Sequence, residues 1–122
     1  EVLNRHKKAL NGSKVLVVGV AYKNDIDDYR ESPAIDVIEI LKSRGAETEF
    51  YDSYIPSFRS HGKTYTGIEK IDPAIIASYD LIVITAAHTN VDYDMIQQNA
   101  KAIFDTKNAM KAVVNRENIE VL

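Results

Sequence analysis

Two short runs constrain this chain most. "KVLVV" at residues 14–18 and "DLIVITA" at residues 80–86 are apolar at most positions rather than at every second one. A strand with one wet face alternates; a strand that does not is covered on both faces, which in a small domain means a parallel sheet between layers of helices. The segments between the runs fit that reading. Ser32 and Pro33 supply an N-cap and a first-turn proline. Ala34, Val37, Ile38 and Leu41 then fall on one helical face, with Ile35 and Ile40 expected to widen it and Asp36, Glu39 and Ser43 opposite. Gly45 marks the end of this helix.

"AETEFYD" reads as a second strand ending in Asp52, "DPAIIASY" as a short Asp-capped helix and "DYDMIQQNA" as another helix. "AIFDT" reads as a fourth strand and "NIEVL" as a short edge strand. Residues 53–70 are mixed, and "HGKTYTGI" fits a hairpin and an irregular excursion equally. Strands alternating with helices predict a three-layer Rossmann-like α/β domain, its mainly parallel sheet flanked by helices and joined by right-handed crossovers. Ligands in such sheets sit at the carboxyl ends of the strands, here the loops at 19–31, 51–53, 85–90 and 105–108.

At 122 residues the chain has the length of one domain. The opening "EVLNRHKKALNGS" reads as the end of a helix and a turn. Residues 1–13 are therefore expected to be the end of a preceding helix or a linker, 14–122 the domain proper, and the whole a piece of something larger. A formal charge of -3 argues against a nucleic-acid partner, which needs clustered Lys and Arg. No apolar run is long enough to cross a bilayer, and no signal-peptide pattern is present. Cysteine is absent, which excludes disulfides, thiolate metal ligands and a cysteine nucleophile, and fits a cytoplasmic protein.

The loop "GVAYKNDIDDYRESPA", residues 19–34, holds the chemistry. It follows the first strand, where doubly wound folds bind phosphate, yet it has one glycine, Gly19, where a dinucleotide fingerprint has three. Asp25, Asp27 and Asp28 suggest a calcium loop, but Arg30 stands where the turn glycine belongs and Asp36 where the bidentate Glu belongs. The histidines at 6, 61 and 88 show no ligand spacing, so no metal site is expected. A phosphoacceptor domain is disfavoured because Thr85 stands where the acceptor Asp of the central strand should be. What remains is an anion held by side chains. Lys23 lies close to the strand end, Tyr22 can stack or pack, and Arg30 lies beside the helix start, with the carboxylates orienting both cations. From the residues alone a surface salt-bridge network is somewhat the commoner arrangement, and both readings stay open.

The run "GVAYKNDIDDYRESPAIDVIEIL" closely resembles the carboxy-terminal, UDP-binding domain of the UDP-glucose/GDP-mannose dehydrogenase family. That pattern is Gly-x-Ala-x-Lys, an acidic stretch, then Arg-Glu-Ser-Pro opening a helix. "GAETEFYDSYIP" resembles the family's second strand and Asp-Pro turn, with Ser53 in place of Pro, while "YDLIVITAAHTNVDY" and "IFDTKN" resemble its third and fourth strands. The wording "AYKNDIDDYRESPA" is most similar to members acting on UDP-N-acetylhexosamines, especially UDP-N-acetylglucosamine 6-dehydrogenase.

The resemblance implies a part of a cytoplasmic enzyme that oxidises the sugar C6 alcohol to a carboxylate for surface polysaccharide synthesis. It implies two NAD-dependent steps through a cysteine thioester. NAD and the nucleophile are then carried by other domains of the same polypeptide, which is expected to be a homodimer. The resemblance assigns Tyr22, Lys23 and Lys107 to the UDP-sugar and Arg30 to NAD. It places no catalytic residue in this chain, which alone is expected to be inactive. Lys107 stands where many members have Arg, and lacks its planar fork. A free-standing nucleotide-binding regulatory module and a structural assembly domain are the alternatives.

Overall fold

A computed structural model describes residues 12–21, 32–60, 62–107, 109–111, 113–114 and 117–121. The expected helix end before residue 12 lies outside these residues, as do Tyr22, Lys23 and Arg30. The elements are β1 (Lys14–Val18), α1 (Pro33–Ser43), β2 (Glu47–Tyr51), β3 (Ser57–Ser60), β4 (Lys63–Thr66), α2 (Pro73–Ala77), β5 (Leu81–Ile84), α3 (Tyr93–Asn99), β6 (Ile103–Asp105) and β7 (Ile119–Val121). Five strands form one sheet in the order β2-β1-β5-β6-β7, with every neighbouring pair parallel. This is the expected Rossmann-like arrangement. Among the described residues no helix is long and apolar enough to cross a membrane.

The unbroken apolar runs are explained by their positions. β1 and β5 are internal strands, and their side chains feed two cores in alternation. Val15, Val17, Leu81 and Val83 pack in the core that contains Ala34 and Ile38 of α1. Leu16, Val18, Ile82 and Ile84 pack in the one that contains Ile76 of α2 and Ile96 of α3. Helices thus cover both faces, and each residue of these runs has an apolar layer to enter. β2 is an edge strand and alternates accordingly, with Thr48 and Phe50 buried and Glu47 and Glu49 exposed.

Local signals set the helix ends. Ser32 Oγ accepts the Ala34 N–H at 3.2 Å, and Asp72 Oδ1 accepts the Ile75 N–H at 2.8 Å. α1 closes with the Ala46 N–H on the Leu41 carbonyl and the Gly45 N–H on that of Lys42, both at 3.0 Å, the paired bonds of a Schellman motif. One expectation about its packing fails. Ile40 does not widen the buried face but is 54 % exposed, because it lies about 200° round the helix from Ile38. The undecided stretch is a hairpin, β3–β4, antiparallel from Ser57↔Thr66 to Ser60↔Lys63. Phe58 stacks on Tyr65 and tilts against Phe50, each at 5.0 Å between ring centroids, which attaches the hairpin to the α1 side of the sheet.

Candidate functional site

The strand order turns at β1. The chain leaves β1 for β2 over one face and reaches β5 over the other, so the loops after β1 and β5 part at the carboxyl edge. This is the switch point where open α/β sheets take ligands. Here the two loops are pressed together. Gly19 has φ +90°, and its N–H donates to the Tyr51 carbonyl at 2.8 Å. A Cβ at Gly19 would lie 2.7 Å from both Cβ and the carbonyl oxygen of Ala86. The Thr85 hydroxyl donates to the Gly19 carbonyl, and the Thr85 N–H to that of Val18 at 2.9 Å.

The centre of this edge is Asp52, the residue after β2. Its carboxylate is buried and accepts five hydrogen bonds. Oδ2 takes the N–H groups of Val20 at 2.7 Å and Ala21 at 3.2 Å, and faces His88 Nε2 at 2.9 Å. Oδ1 takes those of Tyr54 at 2.7 Å and Ile55 at 3.1 Å. Burial pushes the Asp52 carboxyl up, but the hydrogen bonds from His88, Tyr54 and Val20 together outweigh it and hold the group below its ordinary value of 3.8. An ionised carboxylate only accepts, so His88 Nε2 carries the proton and donates. The His88 side chain is 1 % exposed. Its ring meets Tyr54 edge-on at 4.8 Å, and its carbonyl accepts the Tyr93 hydroxyl at 2.8 Å. One carboxylate therefore joins the loops after β1, β2 and β5.

This arrangement has a chemical consequence. Successive backbone N–H groups just past the first strand are what a phosphate-binding loop offers its anion. Those of Val20 and Ala21 are occupied by Asp52. A second internal carboxylate does the same at β6, where Asp105 accepts the N–H groups of Lys107 at 3.1 Å, Ala109 at 3.0 Å and Met110 at 2.9 Å. These two N–H groups of Val20 and Ala21 are therefore not open to an incoming phosphate. With one glycine before them and Asp52 on their N–H groups, Val20 and Ala21 do not offer a pyrophosphate a backbone cradle.

Of the residues singled out in the sequence, Lys107 is at this edge. It is exposed just past β6, two strand spacings, about 10 Å, along the sheet from β1. Tyr22, Lys23 and Arg30 lie outside the described residues, but the chain on either side of them is placed. Ala21 and Ser32 meet, the Ser32 hydroxyl donating to the Ala21 carbonyl at 3.5 Å. The Asp52–His88 pair was not expected. Both residues lie in loops that the strand pattern marks, but nothing in their spacing says that they touch. Beside Asp52 a cleft of about 380 Å³, lined by Tyr51, Ser53, Tyr54, Ile68 and Glu69 among others, opens alongside β2. Among the described residues no group of His, Asp and Glu is placed to hold a metal ion.

Residues 16–112 match the family described as UDP-glucose/GDP-mannose dehydrogenase family, UDP binding domain. The UDP-N-acetyl-D-mannosamine dehydrogenase of Methanocaldococcus jannaschii is 38% identical over 112 residues, covering 85% of this chain and 24% of that protein. Among solved structures, the UDP-N-acetyl-mannosamine dehydrogenase Cap5O from S. aureus is 30% identical with a TM-score of 0.66, over 98% of this chain and 29% of that one. A UDP-D-ManNAc dehydrogenase from Pyrococcus horikoshii shares the fold with a TM-score of 0.74 at 24% identity, over 98% of this chain and 28% of that one. The chain spans about a quarter of the length of the curated relatives it matches.

Proposed function

This chain belongs to the UDP-glucose/GDP-mannose dehydrogenase family as its UDP binding domain, and from that premise we propose that residues 14–122 grip the nucleotide of a UDP-sugar within a longer NAD-dependent 6-dehydrogenase. Lys23 meets the diphosphate, Tyr22 lies against the nucleotide, and Lys107 approaches the substrate from the loop after β6. Arg30 reaches toward NAD, whose pyrophosphate is cradled by another domain of the same polypeptide. The nucleophile that carries the acyl group also lies outside this chain, which has no cysteine. The whole enzyme works as a cytoplasmic homodimer and supplies a sugar acid for surface polysaccharide synthesis.

The observation that carries the reading is the occupied cradle at β1. With the Val20 and Ala21 N–H groups on Asp52, these two donors are not offered to a phosphate, which favours recognition by cationic side chains. Lys23 is the first cation beyond Ala21. The substrate class is a UDP-N-acetylhexosamine. The loop wording is closest to N-acetylglucosamine enzymes, whereas several relatives are named for its C2 epimer, N-acetyl-D-mannosamine. We place the substrate within that class, with the mannosamine form favoured by those names.

The test is steady-state kinetics on the full-length enzyme with both epimers. Lys23→Ala removes a charge-assisted hydrogen bond worth roughly 1.5–3 kcal/mol, so the KM for the nucleotide sugar should rise on the order of 10- to 100-fold. A KM and kcat equal to wild type would show that Lys23 does not bind substrate.

A further inference from the structure

We propose that the Asp52–His88 pair is a positioning element for substrate binding, which fixes the direction in which the chain leaves β1 through Val20 and Ala21. This inference rests on the substrate reading above and adds two residues to it.

Val20 and Ala21 are the last described residues before Tyr22 and Lys23, and both of their N–H groups end on Asp52 Oδ2. The same oxygen takes the His88 donor at 2.9 Å, and Asp52 Oδ1 is fixed independently by Tyr54 and Ile55. The carboxylate is thus anchored from its own loop on one oxygen and aimed by the β5 loop on the other. His88 is itself held, edge-on by the Tyr54 ring and through its carbonyl by the Tyr93 hydroxyl. At the far end of the loop, Ser32 caps α1 and also bonds the Ala21 carbonyl. Both stems of residues 22–31 therefore meet at the point that the pair controls.

Stability alone does not account for such a pair. Burying a carboxylate costs desolvation free energy that its hydrogen bonds must first offset, so the pair is weak evidence for net stability. What the pair supplies is direction: hydrogen bonds specify an orientation that apolar packing leaves loose. The loop after β5 is at the same edge, so its placement and that of Val20 and Ala21 are coupled through Asp52.

The experiment uses the full-length enzyme. His88→Leu keeps bulk and removes the donor; His88→Gln keeps an N–H donor on a side chain of similar reach. Expected for His88→Leu is a KM for the nucleotide sugar raised on the order of tenfold, with the KM for NAD and the kcat near wild type. His88→Gln should restore the sugar KM to within about threefold. A purely structural histidine would instead lower the Tm and the active fraction, and hence kcat, with the sugar KM unchanged; that result overturns the proposal. So does a His88→Gln variant as impaired in KM as His88→Leu. If His88→Leu does not fold, Tyr93→Phe, which removes the hydroxyl donor to the His88 carbonyl, should still raise the sugar KM about two- to threefold, and no change would overturn the proposal. Lys23→Ala measured in parallel separates the two readings. A raised KM there with none in the His88 and Tyr93 variants sinks the positioning role alone. An unchanged KM in Lys23→Ala sinks the substrate assignment and the positioning role with it.

Discussion

Gly19 and Asp52 do most to shape the edge of the sheet, and each makes a distinct prediction. At Gly19 two costs coincide: the left-handed φ of +90° and a Cβ position 2.7 Å from Ala86 atoms that include backbone. Gly12 has a similar φ of +86° with nothing within 4 Å of its Cβ position, so it isolates the backbone cost. In urea unfolding, Gly12→Ala should lose about 1 kcal/mol and Gly19→Ala roughly 2–4 kcal/mol. Equal losses would show that the Ala86 contact relaxes freely. Asp52 makes a prediction in pH. Its carboxyl is held below the 3.8 that it has when unfolded. Its contribution is therefore complete above that value and is lost as pH falls from there through the lower folded value. Wild-type Tm should drop steeply below about pH 4, whereas Asp52→Asn should start lower and fall less steeply over the same range. Parallel curves would place the acid sensitivity in other carboxylates.

At the scale of elements, the hairpin β3–β4 is the part whose attachment is most local. It pairs with itself rather than with the main sheet, and a lone two-stranded hairpin is marginal in water. Its hold is the Phe58 ring, 2 % exposed between Phe50 and Tyr65. Phe58→Ala should therefore cost roughly 3 kcal/mol in chemical denaturation and raise amide exchange in 57–66 more than in β1 or β5. Uniform exchange across the sheet would mean that the hairpin and the main core unfold as one unit. The helices depend on their packed faces rather than on intrinsic propensity, since α2 has five residues and α3 seven, too few to be stable alone.

For the whole molecule, the expected outcome is a domain that folds and does not turn over. It has no cysteine, and among the described residues the N–H groups just past β1 are taken by Asp52. The purified chain with NAD and any nucleotide sugar should therefore show no NADH formation above a heat-treated control. Measurable turnover would mean that a different nucleophile and cofactor site exist within these residues.

Periodicity carried most of the fold on its own. A run such as "KVLVV" can satisfy its four consecutive apolar side chains only between two covered faces, and a Ser-Pro or Asp-Pro start satisfies helix N–H groups whatever the surroundings. Strand positions, their parallel pairing and the helix starts followed from such local physics. Ile40 was misread because a hydrophobic residue near an apolar stripe is not thereby on it; only the packing of α1 decided which arc of the helix was covered. The hairpin stayed open because Gly62 and the Thr-Tyr-Thr run suit several turns, and the aromatic stack that selects one involves Phe50, from another strand. Asp52 and His88 were visible as loop residues, but 36 positions separate them. Their contact exists because β2, β1 and β5 align in parallel and bring three loops to one edge, and hydrogen-bond partners at that separation are set by the sheet.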